Sequence, residues 1–150
     1  MALLPLLVTL VAGAALPVQA GINSRLGKEM GSPFVASLIS FLIGTASILI
    51  FVLLSRVNAP EGGYAVTASR LPWWIWLGGV IGAVFVTVAA TFASRIGFSL
   101  FSAVVIAGQL LTSVGLDHFG LLGAERHPVS LLRLGGIALL IAGIALIRRG

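Results

Sequence analysis

No cysteine occurs anywhere in the chain, which excludes disulfides, thiolate chemistry and cysteine metal sites. Charge is almost as scarce. Only 9% of the residues are Asp, Glu, Lys or Arg, whereas a soluble domain carries roughly 25%. With so few charges a chain of this size cannot cover a surface facing water. Motifs for hydrolysis, nucleotide binding and metalloprotease chemistry are also missing, so no enzyme class is indicated. His118 and His127 stand near Asp117 and Glu125, but Asp117 and His118 are neighbours that point about 100° apart on a helix. No ligand spacing recurs, and neither a metal nor any other cofactor is expected.

What is present is apolar. Hydrophobic residues make up 59% of the 150, and the mean hydropathy is +1.15. Five apolar segments stand out, at about 3–22, 34–54, 73–93, 98–116 and 131–147. Each is long enough to cross a hydrocarbon core of ~30 Å at ~1.5 Å per residue. The runs are too long and continuous for the alternating strands of a barrel. The expected fold is therefore an all-α membrane protein, a single transmembrane domain over 1–150 with five spanning helices.

The net charge of +5 reads as membrane-surface anchoring rather than nucleic-acid binding, because the basic residues sit between the apolar runs. Arg133 is placed just inside the fifth segment, its head reaching outward. The longest connection, 55–71, contains Pro60, Gly62 and Gly63 and reads as a surface turn. Trp73, Trp74 and Trp76 follow Pro72 and form one interfacial belt. Val18-Gln19-Ala20 resembles a signal-peptidase site, but no basic residue precedes the apolar run. The first segment is accordingly read as a retained helix.

Five helices put the two termini on opposite sides. Arg56, Arg70, Arg126 and Arg133 fall on the N-terminal side, and Arg25, Lys28, Arg95, Arg148 and Arg149 on the other. Four against five is too even to set one orientation. The expectation is insertion both ways and an antiparallel, dual-topology homodimer of ten helices, the inverted repeat on which many transporters are built.

Polar groups inside a span are costly unless partnered, so they mark candidate sites. On the fourth segment Ser102, Gln109, Thr112, Ser113 and Asp117 fall on one stripe. Gln109 lies ~16 Å from the start of that segment and ~10 Å from its end. Near mid-depth in an antiparallel dimer, it can meet its own copy and bring two amides to one site. The competing reading is interhelical hydrogen bonding. On the first segment Gln19 and Asn23 are one turn apart, just after Pro17, where the helix can be interrupted and its backbone freed. They can equally be simple caps near the surface. Asp117 and Arg95 are candidate coupling or gating residues. Thr87, Thr91 and Ser94, Gly78 and Gly82, and the row Ser37, Ser40, Gly44 and Ser47 read as helix packing. Gly136 and Gly143 suit packing between subunits.

Several stretches are familiar as an ordered set. Gln19-Ala20-Gly21-Ile22-Asn23 with Arg25 and Gly27, Ser40 to Gly44, Pro72-Trp73-Trp74, Ala107-Gly108-Gln109, and Leu116-Asp117-His118-Phe119-Gly120 resemble successive parts of the YdcZ-like family of small bacterial inner-membrane proteins. The resemblance runs along the whole chain. It implies membership of the drug/metabolite transporter superfamily, five helices per chain and export of small molecules. It also implies assembly as a dual-topology homodimer or with an oppositely oriented homologue. The related small multidrug exporters place a glutamate inside the first helix; here there is none, which argues against proton-coupled export of cationic drugs. The leading expectation is a secondary transporter of a small polar metabolite, working by alternating access. Gln19, Asn23 and Gln109 would form its centre, with Ser102 and Ser113 nearby. The rival is a non-transporting structural or accessory subunit.

Overall fold

The computed structural model describes residues 3–55 and 57–149. Arg56, one of the cations in the orientation count, lies outside the described residues. The elements are α1 (Leu3–Glu29), α2 (Pro33–Leu54), α3 (Gly63–Arg70), α4 (Leu77–Ile96), α5 (Phe98–Phe119) and α6 (Leu131–Arg149). A 3₁₀ turn at Trp73–Trp76 leads into α4, and another at Leu121–Gly123 follows α5. Among the described residues there is no strand. Five segments are long and apolar enough to cross a membrane: α1, α2, the stretch Trp73–Ile96, α5 and α6.

Two elements differ from expectation. The connection read as a surface turn contains α3, an eight-residue helix. Gly62 enters it at φ 81, a left-handed value that glycine adopts without the Cβ penalty. Inside it the Thr67 hydroxyl donates back to the Gly63 carbonyl at 3.1 Å. The turn residues Pro60, Gly62 and Gly63 therefore mark the start of a helix. The second difference is at Pro17, where α1 continues without a break to Glu29. Proline removes one backbone bond, but the turns beyond it are held by tertiary contacts that hydropathy does not register.

Those contacts belong to the first of two compact units, residues 1–94. Gly31, at φ 69, reverses the chain after α1. Ser32 then caps α2, its hydroxyl accepting from the Val35 amide at 3.4 Å, with Pro33 opening the helix. This tight reversal makes α1 and α2 an antiparallel pair. A Cβ on Gly27 would lie 3.3 Å from the Pro33 Cα, so glycine permits the close approach. The buried residues of the unit are all small: Ala20, Asn23, Ser24 and Gly27 on α1, Ala36 and Ser37 on α2, and Ala89, Ala90 and Ala93 on α4. Large side chains such as Leu42, Ile43 and Ile81 are exposed. That is the membrane arrangement: lipid is as apolar as leucine, so helices associate through small residues and polar contacts.

The second unit, 95–150, holds the hairpin of α5 and α6. Its loop end is closed by hydrogen bonds. Gly120, at φ 62, ends α5 and donates to the Leu116 and Asp117 carbonyls. The Asp117 carbonyl also accepts from the His127 amide at 2.8 Å. The His118 ring accepts the Val129 amide through Nδ1 at 3.2 Å, and the Arg126 guanidinium donates to the His118 carbonyl at 3.1 Å.

Candidate functional site

Three side-chain hydrogen bonds tie the first unit together, one for each pair of long helices. The Ser40 hydroxyl donates to Asn23 Oδ1 at 2.6 Å, joining α2 to α1. Ser24 and Ser94 share a hydrogen bond of 2.6 Å, joining α1 to α4. The Thr87 hydroxyl shares its proton between the Ala83 carbonyl of its own helix at 2.8 Å and Ser37 Oγ at 3.0 Å, the second joining α4 to α2. Ser37 in turn donates to the Pro33 carbonyl at 2.9 Å, which leaves its oxygen as the acceptor for Thr87. These bonds cluster where α1 ends, α2 begins and α4 ends. The unit is thus closed and polar at one end.

From that closed end towards the membrane centre the helices separate into a cavity of about 210 Å³. It is lined by Gln19 of α1, by Ser40, Phe41, Gly44, Thr45 and Ile48 of α2, and by Val86 of α4. At ~1.5 Å per residue, Gln19 is ~15 Å before the end of α1, and Ser40 and Thr45 are ~10 and ~18 Å from the start of α2. The three polar groups therefore lie within the span, about 10 to 18 Å from the turn that joins α1 to α2. Asn23 is only 3% exposed and braces Ser40 from beneath. Gln19 and Thr45 are exposed to the cavity side and have no hydrogen-bond partner among the described residues. The cavity contains no charged side chain.

A larger cleft of about 570 Å³ lies between α2 and α4, lined by Pro33, Phe34, Ala83, Val84, Thr87, Val88, Thr91 and Phe92. Its hydroxyls are already used: Thr91 donates to the Thr87 carbonyl at 2.7 Å, and Thr87 is bonded to Ser37. An apolar cleft with occupied hydroxyls suits hydrocarbon. The smaller cavity, with open amide and hydroxyl groups, is the candidate for polar cargo.

The remaining residues singled out by sequence lie in the second unit. Gln109 stands at the middle of α5, exposed, and neither it nor Ser113 has a hydrogen-bond partner among the described residues. Ser102 is half-buried near the start of α5. Arg95 falls in the last turn of α4. Asp117 forms an ion pair with Arg133 at 3.3 Å, both side chains 37% exposed. Arg133, expected to reach outward, thus reaches across to α5. His127 Nδ1 is 2.9 Å from the Glu125 carbonyl, so it must carry the proton. Cβ atoms built on Gly136 and Gly143 meet nothing within 4 Å, leaving that face of α6 open.

Sequence reasoning placed Gln19 and Asn23 on one helix face, and the structure sets Gln19 in the cavity wall with Asn23 behind it. It read Ser40 as packing and passed over Thr45. The missed signal was a Ser–Thr pair five residues apart around Gly44, inside an otherwise apolar run.

Residues 4–146 match the family described as "Putative inner membrane exporter, YdcZ". The inner membrane protein YdcZ of Escherichia coli (strain K12) is 28% identical over 144 residues, covering 93% of this chain and 91% of that protein. No solved structure matches the chain. With five spanning helices, polar groups at mid-depth and a family match over nearly its whole length, the chain belongs to the YdcZ family of inner-membrane exporters in the drug/metabolite transporter superfamily, a multi-pass protein of the bacterial inner membrane.

Proposed function

We propose that the protein is a secondary-active exporter of a small polar metabolite, operating by alternating access in a pair of oppositely inserted copies. The observation that carries this reading is Gln109. An amide halfway along a spanning helix, exposed and without a partner among the described residues, is costly against lipid. It needs a water-filled path, a substrate or its own copy across a two-fold axis lying in the membrane plane. The near-even distribution of basic residues supports the last arrangement, and so does the odd number of spans. The open glycine face of α6 is where such a pair would pack. In this reading Ser102 and Ser113 bind substrate beside Gln109 on α5, Gln19 and Asn23 do so within the first unit, and Asp117 and Arg95 serve as coupling or gating groups.

The test is uptake into vesicles reconstituted with protein in both orientations. Gln109→Ala should cut transport of a cargo found by ligand screening by about tenfold or more, the cost of losing hydrogen bonds in a low-dielectric site. Unchanged transport would remove Gln109 from the path. A single cysteine placed at Arg149 should label from both faces of the membrane. Labelling from one face only would require an oppositely oriented homologue as partner.

A further inference from the structure

The cavity of the first unit has a chemistry specific enough to name its ligand class. Ser40 spends its proton on Asn23 at 2.6 Å. Asn23 is 3% exposed, so this bond is shielded and Ser40 is held in one role. Towards the cavity its oxygen offers lone pairs only. Thr45 and Gln19 are open to donate or accept. Phe41, Ile48 and Val86 complete the wall with apolar surface.

A ligand must therefore donate to Ser40 and exchange bonds with one hydroxyl and one amide close by. It should bring no net charge, because this half-open cleft lies along spanning helices and its lining offers no counter-charge. A volume of about 210 Å³ holds about seven waters at ~30 Å³ each, which matches a compact molecule of some seven to ten non-hydrogen atoms.

We infer that this cavity binds a small, uncharged polyhydroxylated solute, a four- or five-carbon polyol in size and chemistry, with Ser40 accepting from one of its hydroxyls and Gln19 and Thr45 bonding its neighbours. The inference rests on the exporter reading for its biological sense, yet binding can be measured apart from transport.

The experiment is calorimetric titration of the detergent-solubilised full chain with erythritol and xylitol. Glycine betaine, arginine and citrate serve as zwitterionic, cationic and anionic comparators. Calorimetry is preferred to a melting assay because polyols stabilise proteins generally by exclusion. The polyols should bind saturably and the charged solutes should not. Thr45→Val, which leaves the Asn23–Ser40 bond untouched, should weaken polyol binding about three- to tenfold, the worth of one hydrogen bond. Ser40→Ala should do the same, and Gly13→Ala, with open space around it, should leave binding as it was. Tighter binding of a charged comparator, or polyol binding indifferent to both Thr45→Val and Ser40→Ala, would overturn the assignment. If polyols bind as described but are not moved across vesicles, the exporter reading fails while the cavity assignment stands. If vesicles move charged solutes and polyols do not bind, the cavity assignment fails while the exporter reading stands.

Discussion

The Asn23–Ser40 hydrogen bond gives the sharpest test of how the first unit is held together. The perturbation is a double-mutant cycle of Asn23→Ala and Ser40→Ala. Hydrogen bonds between spanning helices average ~0.6 kcal/mol and reach ~1.7. This one should sit in the upper half of that range, because it is short at 2.6 Å and Asn23 is only 3% exposed. Two effects moderate the single variants. After Asn23→Ala the Ser40 hydroxyl can turn to the carbonyl one turn back in its own helix, as Ser37 and Ser47 do. Asn23→Ala also removes packing beyond the bond. The coupling term cancels the packing loss, so a value of about 1–1.5 kcal/mol is expected from equilibrium unfolding in mixed micelles of mild and denaturing detergent. Variants at Ser24 should combine additively with Ser40→Ala, since Ser24 bonds to Ser94 instead. A coupling below about 0.3 kcal/mol for Asn23 and Ser40, which is the usual error of additivity, would refute the reasoning.

Three further outcomes follow from the same geometry. Gly27→Val should destabilise by about 1–3 kcal/mol through overpacking, because its Cβ meets Pro33 backbone at 3.3 Å, while Gly13→Val, with open space around it, should be nearly silent in the same unfolding assay. Arg133→Ala should cost no more than about 1 kcal/mol, since the ion pair with Asp117 is more than a third exposed on both sides; a much larger loss of denaturation midpoint would mean that the pair is shielded by another chain. Gly143→Leu should leave the chain folded, because nothing lies within 4 Å, yet shift the protein from dimer to monomer in light scattering if α6 packs between subunits.

The spans were legible because lipid imposes a plain requirement, a run of apolar residues long enough to cross it. Where the helices stop was less legible. Hydropathy ends the first segment near Ile22, but the helix continues to Glu29, since Asn23, Ser24 and Gly27 are buried against neighbours rather than offered to water. Similarly, α3 hides in a stretch whose glycines and proline signal a turn, and only the left-handed Gly62 shows that the turn leads into a helix. At the site, the face shared by Gln19 and Asn23 could be read from helical spacing. The partner of Asn23 could not, because it depends on how the three-residue turn after Glu29 sets α2 against α1. The pairing of Asp117 with Arg133, sixteen residues apart, depends in the same way on the closed loop between α5 and α6.

The placing of the hydrogen bonds also has a mechanical consequence. Three struts joined pairwise near one end form a triangulated frame, which can tilt as a body but cannot shear without breaking a joint. The first unit is such a frame, with its joints at Asn23–Ser40, Ser24–Ser94 and Ser37–Thr87. Its cavity should hold its shape while the frame moves. The second unit is built like tongs, with its side-chain fastenings gathered at the loop by Asp117, His118 and Arg133. Towards their far ends α5 and α6 share no side-chain hydrogen bond among the described residues. One chain thus contains a part braced pairwise across three helices and a part fastened at one end only.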